Sequence, residues 1–159
     1  MKTYMAKAFD MVEWGFLEAT LESMGFPNQL ISTIMKCVSS VTFDILINGQ
    51  PTKTFTFQRG LRQGDPLSPY LFLLCADVLS GLLKTAQDKK VIQGIKIAKE
   101  APMISHLLLA DENLIFCKAN TIETQAIKDN IAQYEAASGQ NVNFEKSEII
   151  FSKNTNIPT

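Results

Sequence analysis

The chain has 159 residues, 46% of them apolar and 19% charged, with a formal net charge of −1. That length suits one domain with a real hydrophobic core, and that composition excludes intrinsic disorder. The charge balance excludes the broad basic footprint of a free-standing nucleic-acid binder.

Cys37, Cys75 and Cys117 are odd in number and share no metal-ligand spacing. They read as reduced core thiols of an intracellular protein. The opening residues do not read as a secretory signal. The longest apolar run, Tyr70 to Leu83, carries Asp77 and Ser80 and reads as too short for a bilayer span, so no membrane partner is expected.

Residues 2–9 read as a short strand. Asp10 and Glu13 have capping-box spacing and predict a helix from Asp10. Trp14, Leu17, Leu21 and Met24 form its apolar stripe, and Gly25 ends it. Pro27 starts a second helix with Leu30, Ile31, Ile34, Met35 and Val38 as the buried face. From Val41 the period changes to two. Residues 41–57 read as a hairpin, with Asn48-Gly49 as its turn and Phe55 and Phe57 on the returning strand.

The stretch Arg59-Gly60-Leu61-Arg62-Gln63-Gly64-Asp65-Pro66-Leu67-Ser68-Pro69 follows. Its glycines permit backbone shapes closed to other residues, or close approach of a ligand. Gln63 brings donors and an acceptor. Ser68 reads as the cap of an apolar helix to about Thr85, with Pro69 at its first position. Val91 to Ile97 reads as an edge strand.

Ile104 to Leu109 and Leu114 to Cys117 are apolar and flank a polar tip, Ala110-Asp111-Glu112-Asn113. Adjacent carboxylates on a hairpin suit a divalent metal held against phosphate oxygens, although acidic tips are also ordinary turns. Asn120 and Glu123 cap a helix with Ile122, Ala126, Ile127, Ile131 and Tyr134 on one face, ended by Gly139. Glu148 to Ser152 reads as a last strand. His106 reads as structural, and Asp77 as needing an exposed side or a buried partner. The order of helices and hairpins, without regular alternation, is α+β.

Four stretches together resemble the reverse transcriptases of non-long-terminal-repeat (LINE-type) retrotransposons. Met5-Ala6-Lys7-Ala8-Phe9-Asp10-Met11-Val12-Glu13-Trp14 is similar to the first palm motif of that family. Arg59 to Pro69 is similar to the second. Ile104 to Phe116 is similar to the third, with Leu109-Ala110-Asp111-Glu112 where Phe-Ala-Asp-Asp is usual. Ser138-Gly139-Gln140-Asn141-Val142-Asn143-Phe144-Glu145-Lys146-Ser147 is similar to the fourth.

The resemblance implies a polymerase palm over residues 1–159, with the hairpin 41–57 between the first and second motifs. It implies an antiparallel sheet with helices on one face, incomplete fingers and no thumb. It further implies RNA-templated DNA synthesis by two-metal phosphoryl transfer, with Mg²⁺, deoxynucleoside triphosphates, an RNA template and a DNA primer. Asp111 and Glu112 would hold metal. Phe9 would exclude a ribose 2′-hydroxyl, unless its ring is plain core packing, and Gln63 and Gly64 would line nucleotide and template. Lys146 would neutralise or protonate the leaving pyrophosphate, unless it is a solvated surface lysine. Arg62 is left between a phosphate contact and a local loop cap.

One departure weighs more than the matches. The family places a metal-binding aspartate directly before the Met5 position, and here that residue is Tyr4. A phenol is uncharged at neutral pH and does not replace a carboxylate on Mg²⁺. Asp10, beyond the strand, reads as a helix cap rather than a substitute. An inactive palm is therefore expected, with weak nucleic-acid binding and possible self-association. The alternative is a remnant that binds nucleic acid or protein without chemistry.

Overall fold

The computed structural model describes residues 1–153 and 155. A four-stranded antiparallel sheet lies at its centre. In chain order its strands are β1 (Lys2–Ala6), β6 (His106–Leu109), β7 (Glu112–Ile115) and β8 (Asn141–Val142). Their order across the sheet is β6-β7-β1-β8.

Alternation assigns the two faces. Thr3 and Met5 on β1 and Asn113 and Ile115 on β7 are buried, whereas Lys2, Tyr4, Glu112 and Leu114 are only partly covered. The buried face packs on helices α1 (Trp14–Ser23), α3 (Ser68–Asp88) and α4 (Thr121–Ser138). Helix α2 (Asn28–Ser39) packs on α1, and α3 runs against α1, α4 and β6. Leu17, Leu21, Cys75, Leu83, Ile115 and Tyr134 are at most 1% exposed. Each fully buried aliphatic side chain of this kind contributes about 1.5–3 kcal/mol. The antiparallel sheet with helices on one face is the arrangement that the resemblance implied.

Several local expectations are corrected. Helix α1 starts at Trp14, not Asp10, and the Glu13 side chain makes no capping bond. Residues 7–11 form a turn instead, with Asp10 N and Met11 N donating to Lys7 O. Helix α3 starts at Ser68, so Ser68 is its buried first residue rather than its cap, and Pro69 stands second. Asp65 Oδ1 accepts from Leu67 N at 2.8 Å in the turn that precedes the helix, and no side chain caps it. The same helix is 21 residues long and, by length and composition alone, meets the requirement for a bilayer span, although the apolar run read shorter. Asp77 is on its exposed side.

Leu30, Met24 and Ile122 are exposed, contrary to their apolar stripes. Cys37 is exposed too, against the core reading. The stretch 91–97 contributes only a bridge between Ile95 and Ile104, and 148–152 only one between Glu148 and Lys2.

The hairpin 41–57 divides into two short ladders, β2 (Thr42–Phe43) with β5 (Phe55–Thr56) and β3 (Leu46–Ile47) with β4 (Gln50–Pro51). Asn48 and Gly49 do form its two-residue turn, with φ of 51° and 79°. Positive φ at both central residues is the hairpin-favoring mirror-image turn. Asn120 also caps as read, its Oδ1 accepting from Glu123 N at 2.8 Å.

Candidate active site on the open face of the sheet

Tyr4 on β1 and Glu112 on β7 are directly opposed across the antiparallel pairing. Met5 N donates to Asp111 O at 2.8 Å, which fixes the acidic turn against the end of β1. The turn is shorter than the sequence suggested. Ala110 and Asp111 form it alone, because Ala110 takes φ +54° and Glu112 already pairs with Leu109. Asp111 is exposed at the turn, while Glu112 is a strand residue on the open face.

A cation already sits beside Glu112. Lys2 Nζ is 3.3 Å from Glu112 Oε2 and 4.6 Å from the centroid of the Tyr4 ring. Tyr4 first, and then Glu112, hold the Lys2 ammonium above its ordinary range against partial desolvation. Lys2, Tyr4 and Glu112 thus form one patch.

The loop after β8 flanks the same point. Asn143 N donates to Tyr4 O at 2.7 Å, and Tyr4 N donates to Ser147 Oγ at 3.3 Å. Lys146 lies in this loop with an exposed side chain and no ion pair among the described residues.

A second cluster forms around Phe9. Its ring stacks on Phe72, with centroids 4.5 Å apart and planes 12° from parallel. The stretch from Arg59 to Pro69 closes over the turn that carries it. Gly60 N donates to Val12 O, Leu61 N donates to Phe9 O, and Trp14 Nε1 donates to Gly60 O, each at 2.8 Å. Gly60 has φ +92°, and a β-carbon there would lie 2.7 Å from Asp10 O, so close approach is what this glycine provides. Gln63 Nε2 donates to Asp10 Oδ1 at 3.3 Å, and Arg59 pairs with Glu13 at 3.2 Å. Gly64 and Arg62 are exposed, and Arg62 has no ion pair among the described residues.

The fourth stretch supplies contacts that its sequence did not assign. Gln140 is 1% exposed, and its Nε2 donates to Ala8 O at 2.7 Å. A polar residue directly after the helix-ending Gly139 was its only signal. His106 is structural as read, joined to Ser80 Oγ at 2.8 Å and Ser105 Oγ at 2.9 Å. Burial, with the nearby Lys84, lowers its pKa.

The donors do not fit a pair of divalent ions. Mg²⁺ needs hard anionic oxygens in near-octahedral array. Tyr4 offers a phenol, and Lys2 engages one of the two carboxylates. Among the described residues no group of three His, Cys, Asp or Glu side chains is placed to hold a metal.

An antiparallel sheet backed by helices, an acidic turn beside the end of β1 and a glycine-rich loop over the first turn define a polymerase palm. Residues 2–157 match the family model of reverse transcriptase (RNA-dependent DNA polymerase), and the chain belongs to that family, among the reverse transcriptases of non-long-terminal-repeat retrotransposons.

A Pol polyprotein from retrotransposable element R2 of Popillia japonica is 30% identical over 109 residues, 68% of this chain and 18% of the relative. The transposon TX1 149 kDa protein of Xenopus laevis is 29% identical over 141 residues, 89% of this chain and 10% of that protein. An uncharacterized mitochondrial protein of Arabidopsis thaliana is 55% identical over 67 residues, 42% of this chain and 55% of that protein. The chain therefore spans only part of the length of these relatives. Among solved structures, apo telomerase of Candida tropicalis shares the fold with a TM-score of 0.71 at 19% identity, over 97% of this chain and 30% of that one. Telomerase from the same species with a fragment of telomeric RNA gives 0.72 at 16% identity, over 96% and 26%.

Proposed function

We propose that this domain is a polymerase palm built for RNA-templated DNA synthesis, in which phosphoryl transfer is lost at position 4. The observation that carries the reading is the opposition of Tyr4 and Glu112 across β1 and β7. Two-metal catalysis clamps the attacking and leaving oxygens between ions that share carboxylates. A carboxylate at position 4 would face Glu112 across the sheet. The ring there, with Lys2 on Glu112, supplies no shared ligand.

The remaining assignments belong to the same reading. Asp111 and Glu112 are the remaining metal ligands. Phe9 is the wall against a ribose 2′-hydroxyl, and Gln63, Gly64 and Arg62 line the nucleotide and template. Lys146, in the loop beside Tyr4, meets the leaving pyrophosphate. The partners are an RNA template, a DNA primer and deoxynucleoside triphosphates, bound weakly because few basic residues are available to release counterions.

The test grafts residues 1–153 into an intact polymerase of the same family, unchanged or with Tyr4→Asp, and follows primer extension with Mg²⁺. Extension only by the substituted graft supports the reading. Equal extension by both would refute it. Salt-sensitive binding of a primed template without extension by either graft would favor a binding remnant.

A further inference from the structure

The two peptide groups that flank the Cα of Phe9 are each fixed from a distant part of the chain. Ala8 O, in the peptide before Phe9, accepts from Gln140 Nε2 at 2.7 Å. Phe9 O, in the peptide after it, accepts from Leu61 N at 2.8 Å. With both planar peptides held, φ and ψ at Phe9 are held as well. The direction of the ring, stacked on Phe72, follows from them.

Gln140 is itself oriented. Its Oε1 accepts from the Tyr134 hydroxyl, and both side chains are 1% exposed. Ala8 O can only accept, so Nε2 must face it and Oε1 must face the phenol. Burial pushes the Tyr134 hydroxyl up, away from ionization, and it remains a donor.

The surrounding backbone is equally close. Glu13 N donates to Ser138 O at 2.9 Å, and a β-carbon on Gly139 would lie 2.8 Å from Met11 O. A methionine would fill the volume of Gln140 without burying an amide, and a buried amide is costly unless satisfied. Here it is satisfied by the peptide that precedes Phe9.

We propose that Gln140 is a positioning residue for the nucleotide site: oriented by Tyr134, it sets the peptide ahead of Phe9 and so the wall that the sugar meets. This rests on the reading of Phe9 given above, and the two fail separately in the following experiment.

Amide hydrogen exchange is measured on the chain itself, unchanged and with Gln140→Met or Gln140→Glu. Asp10, Met11, Glu13 and Leu61 report the loop, and Met5 and the α3 amides report the rest. In Gln140→Met the loop amides are expected to exchange at least about tenfold faster relative to the others, as local opening would produce. Gln140→Glu is expected to open the loop only where its carboxyl is ionized, a range that burial and the facing Ala8 O shift to higher pH, and to hold it again as pH falls. A protonated carboxyl donates to Ala8 O, while burial keeps protons on Tyr134 and Cys75. Gln140→Met, measured at the same acidity, corrects for general effects on the fold. Exchange of the loop in step with the whole domain, or a glutamate variant whose loop stays open in mild acid, overturns the hold of Gln140.

A second arm places Gln140→Met in the graft that carries Tyr4→Asp. The KM for deoxynucleotide is expected to rise, and the preference for deoxy- over ribonucleotide to fall about tenfold, with kcat little changed. A loosened loop with unchanged sugar preference would leave the hold of Gln140 standing and overturn the assignment of Phe9 as the wall that the sugar meets.

Discussion

Gly60 and Asp10 approach so closely that a β-carbon on Gly60 would stand 2.7 Å from Asp10 O. Gly60 also has φ +92°, a left-handed conformation that side chains resist. Gly64 shares that backbone with φ +83°, yet a β-carbon there would meet nothing within 4 Å. The two glycines therefore separate close approach from conformation alone. Gly64→Ala is expected to cost about 1–2 kcal/mol, the left-handed penalty. Gly60→Ala is expected to cost more, by at least about 1 kcal/mol, because it also displaces the turn carrying Phe9. Denaturant midpoints of the two variants check the order.

Glu123 gives the fold a dependence on acid. Its Oε2 accepts from Gln93 N at 2.8 Å and Lys118 N at 3.0 Å. Burial raises its pKa, but these two bonds, with Asn120 and Lys118, outweigh it and leave the carboxyl below its usual range. With the folded pKa depressed, this stabilization is complete above the unfolded pKa and is lost as pH falls through the folded value. Stability is expected to drop below about pH 4.3, the ordinary glutamate value. Glu123→Gln is expected to cost about 1–3 kcal/mol at neutral pH and to flatten the acid limb. Melting curves as a function of pH check both.

The three thiols are expected to react in order of exposure. Cys37 is exposed and Cys117 half-buried, while Cys75 is buried with its thiol pushed up to about 12. Only thiolate attacks an alkylating reagent. Alkylation followed by mass spectrometry is expected to modify Cys37 first, Cys117 more slowly, and Cys75 only on unfolding.

The hairpin 41–57 presents an apolar surface. Ile45, Leu46 and Ile47 are 55%, 69% and 60% exposed, and Phe57 is 52% exposed. Clustered exposed apolar side chains promote association. Self-association at micromolar concentration is expected, and Leu46→Lys with Ile47→Lys is expected to reduce it. Light scattering on both forms checks this.

The fold class, the order of the elements and the turn at Asn48-Gly49 were legible because local chemistry decides them. The cap at Asn120 was legible for the same reason. Asp10 and Glu13 misled because a capping pattern and a tertiary pair use the same residues: Asp10 meets Gln63, and Glu13 meets Arg59. Ser68 misled because the helix begins one residue earlier than a cap at that position requires, and Asp65 instead ties the preceding turn to Leu67 N. The acidic turn is tighter than read because Ala110 adopts φ +54°, which pattern reading assigns to glycine or asparagine. In the candidate site, the motifs pointed to positions 4, 111 and 112, and the pairing of β1 with β7 brings 4 and 112 together. The Lys2 contact and the Gln140 bond were not, because both depend on strand register and long-range packing.

Metal binding at position 4 tests the central claim most directly. Mn²⁺, which electron paramagnetic resonance counts as the free ion, is titrated into the unchanged chain and into Tyr4→Asp, with circular dichroism to show that both are folded. A carboxylate at position 4 would face Glu112 across the strands and would add a hard anionic oxygen. The Tyr4→Asp chain is expected to bind Mn²⁺ at least about tenfold more tightly than the unchanged chain, since an added carboxylate strengthens an oxygen-ligand site. Equal affinity and stoichiometry in the two folded chains would contradict the claim that Tyr4 disables the site.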